Sequence, residues 1–407
     1  CTNLTNIAIP GGVKNIGDSV FQSCSGMTSI VIPDGVISIG SSSFSGCWRL
    51  ESITMPSGMT NIGTNMFYGC YSLTNVTIPD VVTNIGNYAF ANCIGLTSVT
   101  IGNSVADIGS SAFRDCRGLA NVTIPDSVTN VGDSAFYGCN GLTTVVIGKG
   151  VANIGSRSFS GCNAIRDVAI NQCVCSSKLS SVFPSSCSTI TNVVIFDDVA
   201  SVGDSAFSDC SGLMSVTIPD SVTSIGSSAF SRCSGLTSVT IPDSVTSLGS
   251  SAFNACGLMD RIIFDGDAPL LGSGVFRGIS DQCHIFVSRN SMGWDTAIPG
   301  EWNGLPIDYK SYIVSFDARG GVLPEAERMI DYGDSIGELP IPTKEHCSFD
   351  GWFTLPVGGE EVQPSNLALG DIALYAHWIV DQYRVAYNFG HYYPIEFQDT
   401  MPRKRRI

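Results

Sequence analysis

The 407-residue chain is poor in charge, and it contains no long apolar run. Only 14% of its residues are charged, and the formal net charge is −15. Proteins that bind nucleic acid present a basic face to the phosphates, so this charge balance argues against such a partner. No apolar stretch approaches the roughly 18 residues that cross a membrane.

Chemistry-bearing motifs are also missing from the sequence. The four histidines are His284, His346, His377 and His391, and none lies beside a cysteine and carboxylate in an arrangement typical of a nucleophile. Phosphate-binding loops, nucleophile elbows and zinc-protease motifs do not occur. The sequence therefore predicts no enzyme activity, no cofactor and no metal site.

What the chain has instead is a repeat of 23 residues. Glycines and phenylalanines recur in phase with it, for example Gly109 and Phe113. A fixed period of this length predicts a solenoid in which each segment is one coil. One interval of 25 residues, from Cys162 to Cys187, interrupts a spacing that is otherwise constant for Cys1, Cys24, Cys47, Cys70, Cys93, Cys116, Cys139, Cys162, Cys187, Cys210, Cys233 and Cys256.

The pattern within one coil predicts its shape. In Leu96-x-x-Val99-x-Ile101 the apolar residues indicate a short inward-facing strand, with Ser98 and Thr100 pointing outward. In other coils proline ends the equivalent strand, as at Pro79 and Pro125, and a second apolar pair turns the chain along another side. The next glycine is expected to adopt a backbone conformation closed to other residues. An Ala-Phe pair then packs phenylalanine inside, and stacked coils bury it.

The cysteines are expected to form a structural ladder of reduced thiols. Metal sites group their ligands at short spacing and use histidine, which residues 1–283 lack. Disulfides between successive coils look awkward, because equivalent side chains in stacked coils run parallel. Aspartates that follow the prolines, such as Asp220 and Asp243, are interpreted as turn residues and not as calcium ligands.

The eighth coil, residues 162–186, is the irregular one. It has two extra residues and contains Cys173-Val174-Cys175. Alternation predicts Val174 inside, with Cys173 and Cys175 outside. Whether Cys173, Cys175 and Cys187 form a disulfide is left open.

The outward strand residues form a flat, uncharged face rich in hydroxyl groups. Such a surface favours broad, shallow binding over a reaction. The rows of outward serine, threonine and asparagine side chains are interrupted at four positions, by Val31, Val146, Asp167 and Val194. The predicted binding face comprises Ser52, Thr54, Asn75, Thr77, Ser98, Thr100, Asn121, Thr123, Ser215, Thr217, Ser238 and Thr240.

The repeat Leu-x-x-Val-x-Ile-Pro-x-x-Val-x-x-Ile-Gly-x-x-Ala-Phe-x-x-Cys resembles the BspA-like class of leucine-rich repeat, over residues 1–281. The resemblance implies a secreted or surface protein of a bacterium or parasitic protist, with a role in adhesion to host or matrix proteins. Because the numbering starts at Cys1 in mid-pattern, the natural protein is expected to continue before it, where an export signal would lie.

The C-terminal part resembles a different family. Phe316-Asp-Ala-x-Gly-Gly, Phe349-x-Gly-Trp and Leu374-Tyr-Ala-x-Trp are similar to the Listeria–Bacteroides repeat, also called the internalin B-type repeat. The resemblance implies a small β-grasp-like module that serves as a spacer or stalk, and it places His377 on an exposed strand. Tyr383 and Val385 echo the start of this module, which suggests that a second one begins in the tail.

The predicted architecture is mainly β: a right-handed leucine-rich-repeat solenoid of about twelve coils, then the β-grasp-like module. The boundaries are 1–281 for the solenoid, 282–310 for a cap and linker, 311–379 for the module and 380–407 for the tail. Trp294 and Trp302 are expected to cover the last coil.

The predicted function is non-catalytic adhesion by a monomeric, secreted or cell-surface protein. The partner would be an extracellular protein or glycan, bound through the extended repeat face. Two alternatives stay open: a structural spacer without a ligand, and an ordered-water surface like that of ice-binding solenoids.

Overall fold

A computed structural model describes residues 2–380 of the chain. Cys1, His391 and the proposed second module with Tyr383 and Val385 therefore lie outside the described residues. Two compact units are present. One comprises the residues up to Val287 together with Ser291–Ile307, and the other comprises Ser288–Asn290 together with the residues from Asp308 onward.

The first unit is built from coils, most of which contribute a longer strand and a two-residue strand. In chain order the first strands are β1 (Asn15–Ile16), β2 (Ser29–Val31), β3 (Ser38–Ile39), β4 (Ser52–Thr54), β5 (Asn61–Ile62), β6 (Asn75–Thr77), β7 (Asn84–Ile85), β8 (Ser98–Thr100), β9 (Asp107–Ile108), β10 (Asn121–Ile124), β11 (Asn130–Val131), β12 (Thr144–Ile147), β13 (Asn153–Ile154) and β14 (Asp167–Ile170). Two short helices and further strands follow: α1 (Gln172–Cys175), α2 (Leu179–Val182), β15 (Asn192–Ile195), β16 (Ser201–Val202), β17 (Ser215–Thr217), β18 (Ser224–Ile225), β19 (Ser238–Ile241), β20 (Ser247–Leu248), β21 (Arg261–Phe264), β22 (Leu270–Leu271) and β23 (His284–Val287).

Equivalent strands of successive coils pair in parallel and in register. Asn121 in β10 pairs with Thr144 in β12, which pairs with Asp167 in β14. Across the irregular coil the ladder continues from Asp167 to Asn192 in β15. The predicted solenoid is thus confirmed, and it has about thirteen turns because β23 still pairs in register with β21.

The interior is a stack of phenylalanine rings beside a row of thiols. Phe113 and Phe136 are fully buried, with ring centroids 5.2 Å apart and planes 5° from parallel. Cys116 Sγ donates to the carbonyl of Phe90 at 3.1 Å. Most ladder cysteines make the same bond to the phenylalanine that lies 26 residues earlier in the chain. Burial raises the pKa of Cys93 to about 12, so this thiol is neutral at physiological pH.

One pair of ladder cysteines departs from the prediction. Cys187 and Cys210 form a disulfide between successive coils, with Cα atoms 5.0 Å apart. This separation lies within the range of about 4.4–6.8 Å that disulfides span, so parallel stacking does not prevent the bond. The pair flanks the end of the irregular coil, where the regular Phe–Cys spacing is broken. The expectation of reduced thiols throughout the ladder was therefore wrong here.

The eighth coil also corrects the expected placement of its cysteines. Val174 and Cys175 are both buried, and Cys173 is only partly buried. The alternation rule fails because the segment forms α1 instead of a strand. Asn171 caps this helix, accepting a hydrogen bond from the Val174 amide at 3.4 Å. Cys173 and Cys175 are free thiols.

In most coils the glycine serves close packing and not an unusual backbone conformation. Gly132 is not among the glycines with positive φ, whereas Ser111 and Ser134 adopt φ values of 55° and 56°. A Cβ on Gly132 would lie 2.6 Å from the amide nitrogen of Ser110 in the preceding coil. Glycine is therefore required by the distance between stacked backbones, and the expected reason was wrong.

Replacing Gly132 by alanine should lower the free energy of unfolding by about 1–3 kcal/mol, because the new methyl group overpacks the contact with Ser110. Urea denaturation followed by circular dichroism measures the loss. Gly257→Ala is the matched control, since a Cβ there meets nothing within 4 Å. Equal effects of the two substitutions would contradict the packing explanation.

The aspartates that follow the prolines accept hydrogen bonds from backbone amides of the next coil. Asp80 Oδ1 accepts a hydrogen bond from the Asn103 amide at 2.8 Å, and Asp126 Oδ1 accepts one from the Lys149 amide at the same distance. Each bond joins residues 23 positions apart. These carboxylates therefore satisfy backbone donors between coils.

Two tryptophans pack against Phe264, the last residue of β21. The ring of Trp294 meets Phe264 edge-on at 5.3 Å, and Trp302 does so at 6.0 Å. Trp302 ends β24 (Gly300–Trp302), which pairs antiparallel with β25 (Leu305–Tyr309). The role of these rings as a cover for the end of the solenoid stays a prediction.

The second unit is a four-stranded mixed sheet. It contains β26 (Ser311–Asp317), β27 (Glu327–Asp331), β28 (Cys347–Phe353) and β29 (Ile372–Val380), in the order β27-β26-β29-β28. The central strands β26 and β29 are parallel, and both outer pairs are antiparallel. Phe316, Trp352 and Trp378 belong to its core. The small β-grasp-like module predicted from the sequence is thus confirmed.

His377 is not exposed, contrary to the expectation from the resemblance. Its side chain is only 2% accessible, because the ring of Phe353 and the backbone of Leu355 pack against it. The imidazole stacks on Phe353 with ring centroids 4.0 Å apart, and Nε2 lies 3.0 Å from the carbonyl oxygen of Leu355. His377 is therefore a packing residue of this module.

Candidate recognition surface

The predicted binding face has the expected placement. All twelve of its residues have exposed side chains, because each lies at an outward position of a long strand. Asn75 is the neighbour of Ser98 across the β6–β8 ladder, and Thr77 is the neighbour of Thr100. The structure thus brings these side chains together by coil stacking, while their role in binding stays a prediction.

The rows are preordered by hydrogen bonds between coils. Ser98 Oγ donates to Asn75 Oδ1 at 2.5 Å, and Thr97 Oγ1 donates to the carbonyl of Thr74 at 3.1 Å. The rows are not continuous, because Arg261 and Ile263 follow Ser238 and Thr240 in register. The surface is therefore divided into patches.

A second feature borders this face and was missed from the sequence. Trp48, Tyr71 and Ile94 each follow a ladder cysteine directly, in three consecutive coils, and are 52%, 46% and 46% exposed. We call these three residues the aromatic ridge. Since equivalent positions of stacked coils are neighbours, the ridge is a row of large apolar side chains in water. It begins four residues before the outward strand positions Ser52, Asn75 and Ser98.

Basic side chains continue the ridge. Arg117 occupies the same position in the next coil, and it pairs with Asp115 at 3.4 Å. Arg114 pairs with the same carboxylate at 3.3 Å, and its guanidinium lies 5.0 Å from the centroid of the Tyr137 ring. Tryptophan, tyrosine and arginine are the residue types enriched among binding hot spots.

The signal for the ridge was present in the sequence. When the coil sequences are aligned on their cysteines, Trp48, Tyr71 and Ile94 occupy the same alignment column. In later coils this column contains the polar residues Asn140 and Asn163. The column lies in a turn, so neither strand alternation nor burial explains three large apolar residues there. Exposed apolar groups that cluster mark interaction sites more often than single ones do.

The described residues offer no arrangement for catalysis by a metal. Within residues 2–380, no group of three histidine, cysteine or carboxylate side chains is placed to hold a metal ion. The same part of the chain contains no helix long and apolar enough to span a bilayer. What the described residues provide is a surface with hydrogen-bonding groups in the polar rows and apolar side chains in the aromatic ridge.

Comparison with solved structures finds other leucine-rich repeat proteins. One from Bacteroides ovatus is 24% identical, with 75% of this chain and 92% of that chain covered and a TM-score of 0.38. A leucine-rich cell surface protein from Faecalibacterium prausnitzii is 28% identical, with 72% and 92% covered and a TM-score of 0.40. The pneumococcal vaccine antigen PcpA is 17% identical, with 68% and 80% covered and a TM-score of 0.30. No curated protein matches the chain.

Family models match almost the whole described chain. The BspA type leucine-rich repeat region matches in six copies, over residues 1–120, 83–213 and 178–292. The Listeria-Bacteroides repeat domain matches residues 312–377. Both resemblances predicted from the sequence are confirmed. Leucine-rich repeat proteins of this kind are typically non-catalytic and have protein-interaction or cell-surface roles. The chain belongs to the BspA type leucine-rich repeat family and carries a C-terminal Listeria-Bacteroides repeat domain.

Proposed function

We propose that this protein is a non-catalytic adhesin, secreted or held at a bacterial surface, that binds an extracellular protein or glycan through the predicted binding face on its longer strands. The observation that carries the proposal is the aromatic ridge beside the polar rows. Three large apolar side chains exposed in adjacent coils cost hydration free energy, and burial against a partner recovers it.

The two features have the composition of one interface. Specific interfaces have an apolar centre surrounded by a polar rim. Trp48 and Tyr71 would supply the centre, and the hydroxyl and amide groups of Ser52, Asn75 and Ser98 would supply part of the rim. Because β-strands hold the polar groups in place, little side-chain ordering would be needed on binding.

Substituting Trp48 and Tyr71 by alanine should weaken binding at least about tenfold, the effect expected for central aromatic anchors. Surface plasmon resonance of the purified chain against immobilised fibronectin, laminin, collagen and mucin, with a glycan array in parallel, measures this. Asn140→Ala with Asn163→Ala is the matched control, because these exposed residues occupy the same position in later coils.

Three outcomes would contradict the proposal. Failure to bind any protein or glycan at high concentration favours a spacer without a ligand. Binding that survives the loss of Trp48 and Tyr71 removes the ridge from the interface. Thermal hysteresis in solutions of the chain would instead support an ordered-water surface.

A further inference from the structure

Basic side chains of the regular coils are concentrated in one row of turns. Five successive turns lead from a buried phenylalanine past a ladder cysteine to the next inward leucine, and we call them the cysteine turns: residues 45–49, 68–72, 91–95, 114–118 and 137–141. Three of the five basic residues between Cys24 and Cys162 lie in these turns, but only one of the seven acidic residues does. The cysteine turns are therefore a locally positive edge of an acidic protein.

The cysteine turns also hold exposed aromatic side chains. Trp48 and Tyr71 of the aromatic ridge lie there, and Tyr68 in the same turn as Tyr71 is 40% exposed. The Tyr71 ring lies against the backbone of its own turn, since a Cβ on Gly69 would be 3.8 Å from Tyr71 Cε1. The equivalent turns of later coils, such as 208–212 and 231–235, contain no aromatic residue. Positive charge and aromatic rings thus occur together in one part of the solenoid.

Two arginines in the fourth cysteine turn share a single carboxylate. Arg114 Nε lies 3.3 Å from Asp115 Oδ2, and Arg117 Nη2 lies 3.4 Å from Asp115 Oδ1. The Arg114 guanidinium is also 5.0 Å from the centroid of the Tyr137 ring. One carboxylate balances only one of the two positive charges, and both arginine side chains are more than 40% exposed. The held guanidinium groups can therefore donate to a further anion, which arginine binds in a bidentate manner.

We propose that the cysteine turns bind an acidic polysaccharide, a chain of sugar rings that carries carboxylate or sulfate groups. This inference rests on the proposed function, because it names the ligand class of the same surface. The anionic groups pair with Arg49 and Arg117. The C–H faces of the sugar rings pack on Trp48 and Tyr71, since the negative face of an aromatic ring attracts polarised C–H groups.

The shape and charge of the solenoid favour a polymer of this kind. At a strand spacing of about 4.8 Å, five stacked turns form a row roughly 20 Å long, which suits a linear chain better than a single small ligand. Hydroxyl and amide groups of Ser52, Asn75 and Ser98 lie beside the row and can bind sugar hydroxyls. The proline side of the same coils carries exposed aspartates such as Asp80 and Asp126, which repel a polyanion and confine it to the cysteine turns.

Fluorescence anisotropy with three labelled probes tests the proposal. The probes are heparin fragments with sulfate groups, oligogalacturonate with carboxylate groups alone, and neutral dextran. The basic run at 403–406 would attract any polyanion, so every chain in the test carries Arg403→Ser, Lys404→Ser, Arg405→Ser and Arg406→Ser. At least one acidic probe should bind saturably, more weakly as sodium chloride is raised, and dextran should not bind.

Paired substitutions locate the bound polysaccharide. Arg49→Ser with Arg117→Ser should weaken its binding at least about tenfold, and so should Trp48→Ala with Tyr71→Ala. The matched control is Arg232→Ser with Arg277→Ser, which removes the same charge from exposed positions of later coils and should leave affinity within about twofold. Circular dichroism of each variant confirms that it is folded.

Four results would overturn the proposal. These are failure of both acidic probes to bind, equal losses in the control pair, retention of affinity without Trp48 and Tyr71, and binding of polyglutamate as tight as that of the polysaccharide. The last result would assign the surface to acidic peptides. A chain that binds a protein or a neutral glycan through Trp48 and Tyr71, but neither acidic probe, contradicts this ligand class and leaves the proposed adhesin standing. A chain that binds nothing contradicts both.

Discussion

Replacing Phe113 by alanine is expected to lower the free energy of unfolding by about 3–5 kcal/mol. The side chain is fully buried, and its ring stacks on Phe90 and Phe136 at 5.2 Å on either side. Its loss leaves a cavity that two fixed neighbouring coils cannot fill. Urea denaturation followed by circular dichroism at 25 °C measures the change.

Tyr71→Ala is the control for this experiment. Tyr71 is an exposed aromatic residue of the ridge, and surface substitutions usually change stability by less than about 0.5 kcal/mol. Similar losses for Phe113→Ala and Tyr71→Ala would show that the phenylalanine stack is not the interior of the solenoid. Because stability in stacked repeats is close to a sum over neighbours, the loss should appear as an earlier unfolding step around this coil.

Removal of the disulfide is expected to cost about 3 kcal/mol. The bond between Cys187 and Cys210 closes a loop across a sequence separation of 23 residues, for which the chain-entropy model gives this magnitude. Reduction with dithiothreitol should therefore lower the melting temperature of the chain. The fall in melting temperature should be large because this disulfide lies next to the irregular coil, which interrupts the sheet of two-residue strands.

The double variant Cys187→Ser with Cys210→Ser separates this bond from the other thiols. It should melt at the temperature of the reduced wild type, and dithiothreitol should not lower that temperature further. Peptide mapping that finds both cysteines alkylated without prior reduction would contradict the assignment, as would a wild type that is indifferent to reductant.

Most of the solenoid could be predicted from the sequence because its rules are local and repeated. The spacing of the cysteines identified the coil, and Leu96-x-x-Val99-x-Ile101 identified the inward strand. The outward position of Ser98 and Thr100 followed from alternation, and both are exposed. The second module was instead located by its resemblance to the Listeria–Bacteroides repeat, which three short motifs carry.

The predictions that proved wrong concern side chains and glycines whose environment depends on contacts between segments of the chain. The role of Gly132 depends on its distance from the preceding coil, which the residue type alone does not give. The burial of Cys175 follows from a helix of four residues, too short to be detected by periodicity. The burial of His377 follows from its contacts with the ring of Phe353 and the backbone of Leu355.

The surfaces were predictable to different extents. The polar rows follow from strand alternation, and the aromatic ridge of Trp48, Tyr71 and Ile94 could have been found by aligning the coils. The open groove that residues 152–155 line together with Cys173 and Ser177 could not be predicted, because the sequence pattern does not indicate the helix α1. Cys173 becomes part of its wall only through the fold.

Successive coils stack in register, and this stacking encloses the thiol ladder. Alkylation of the native chain with iodoacetamide at pH 8, mapped by mass spectrometry, tests it most directly. Burial keeps Cys93, Cys116 and Cys139 inaccessible, and it raises the pKa of Cys93 to about 12, so the reactive thiolate is scarce. Cys173 and Cys347 should therefore be modified while these three ladder thiols are not. Modification of the ladder thiols at the rate of Cys173 would contradict it.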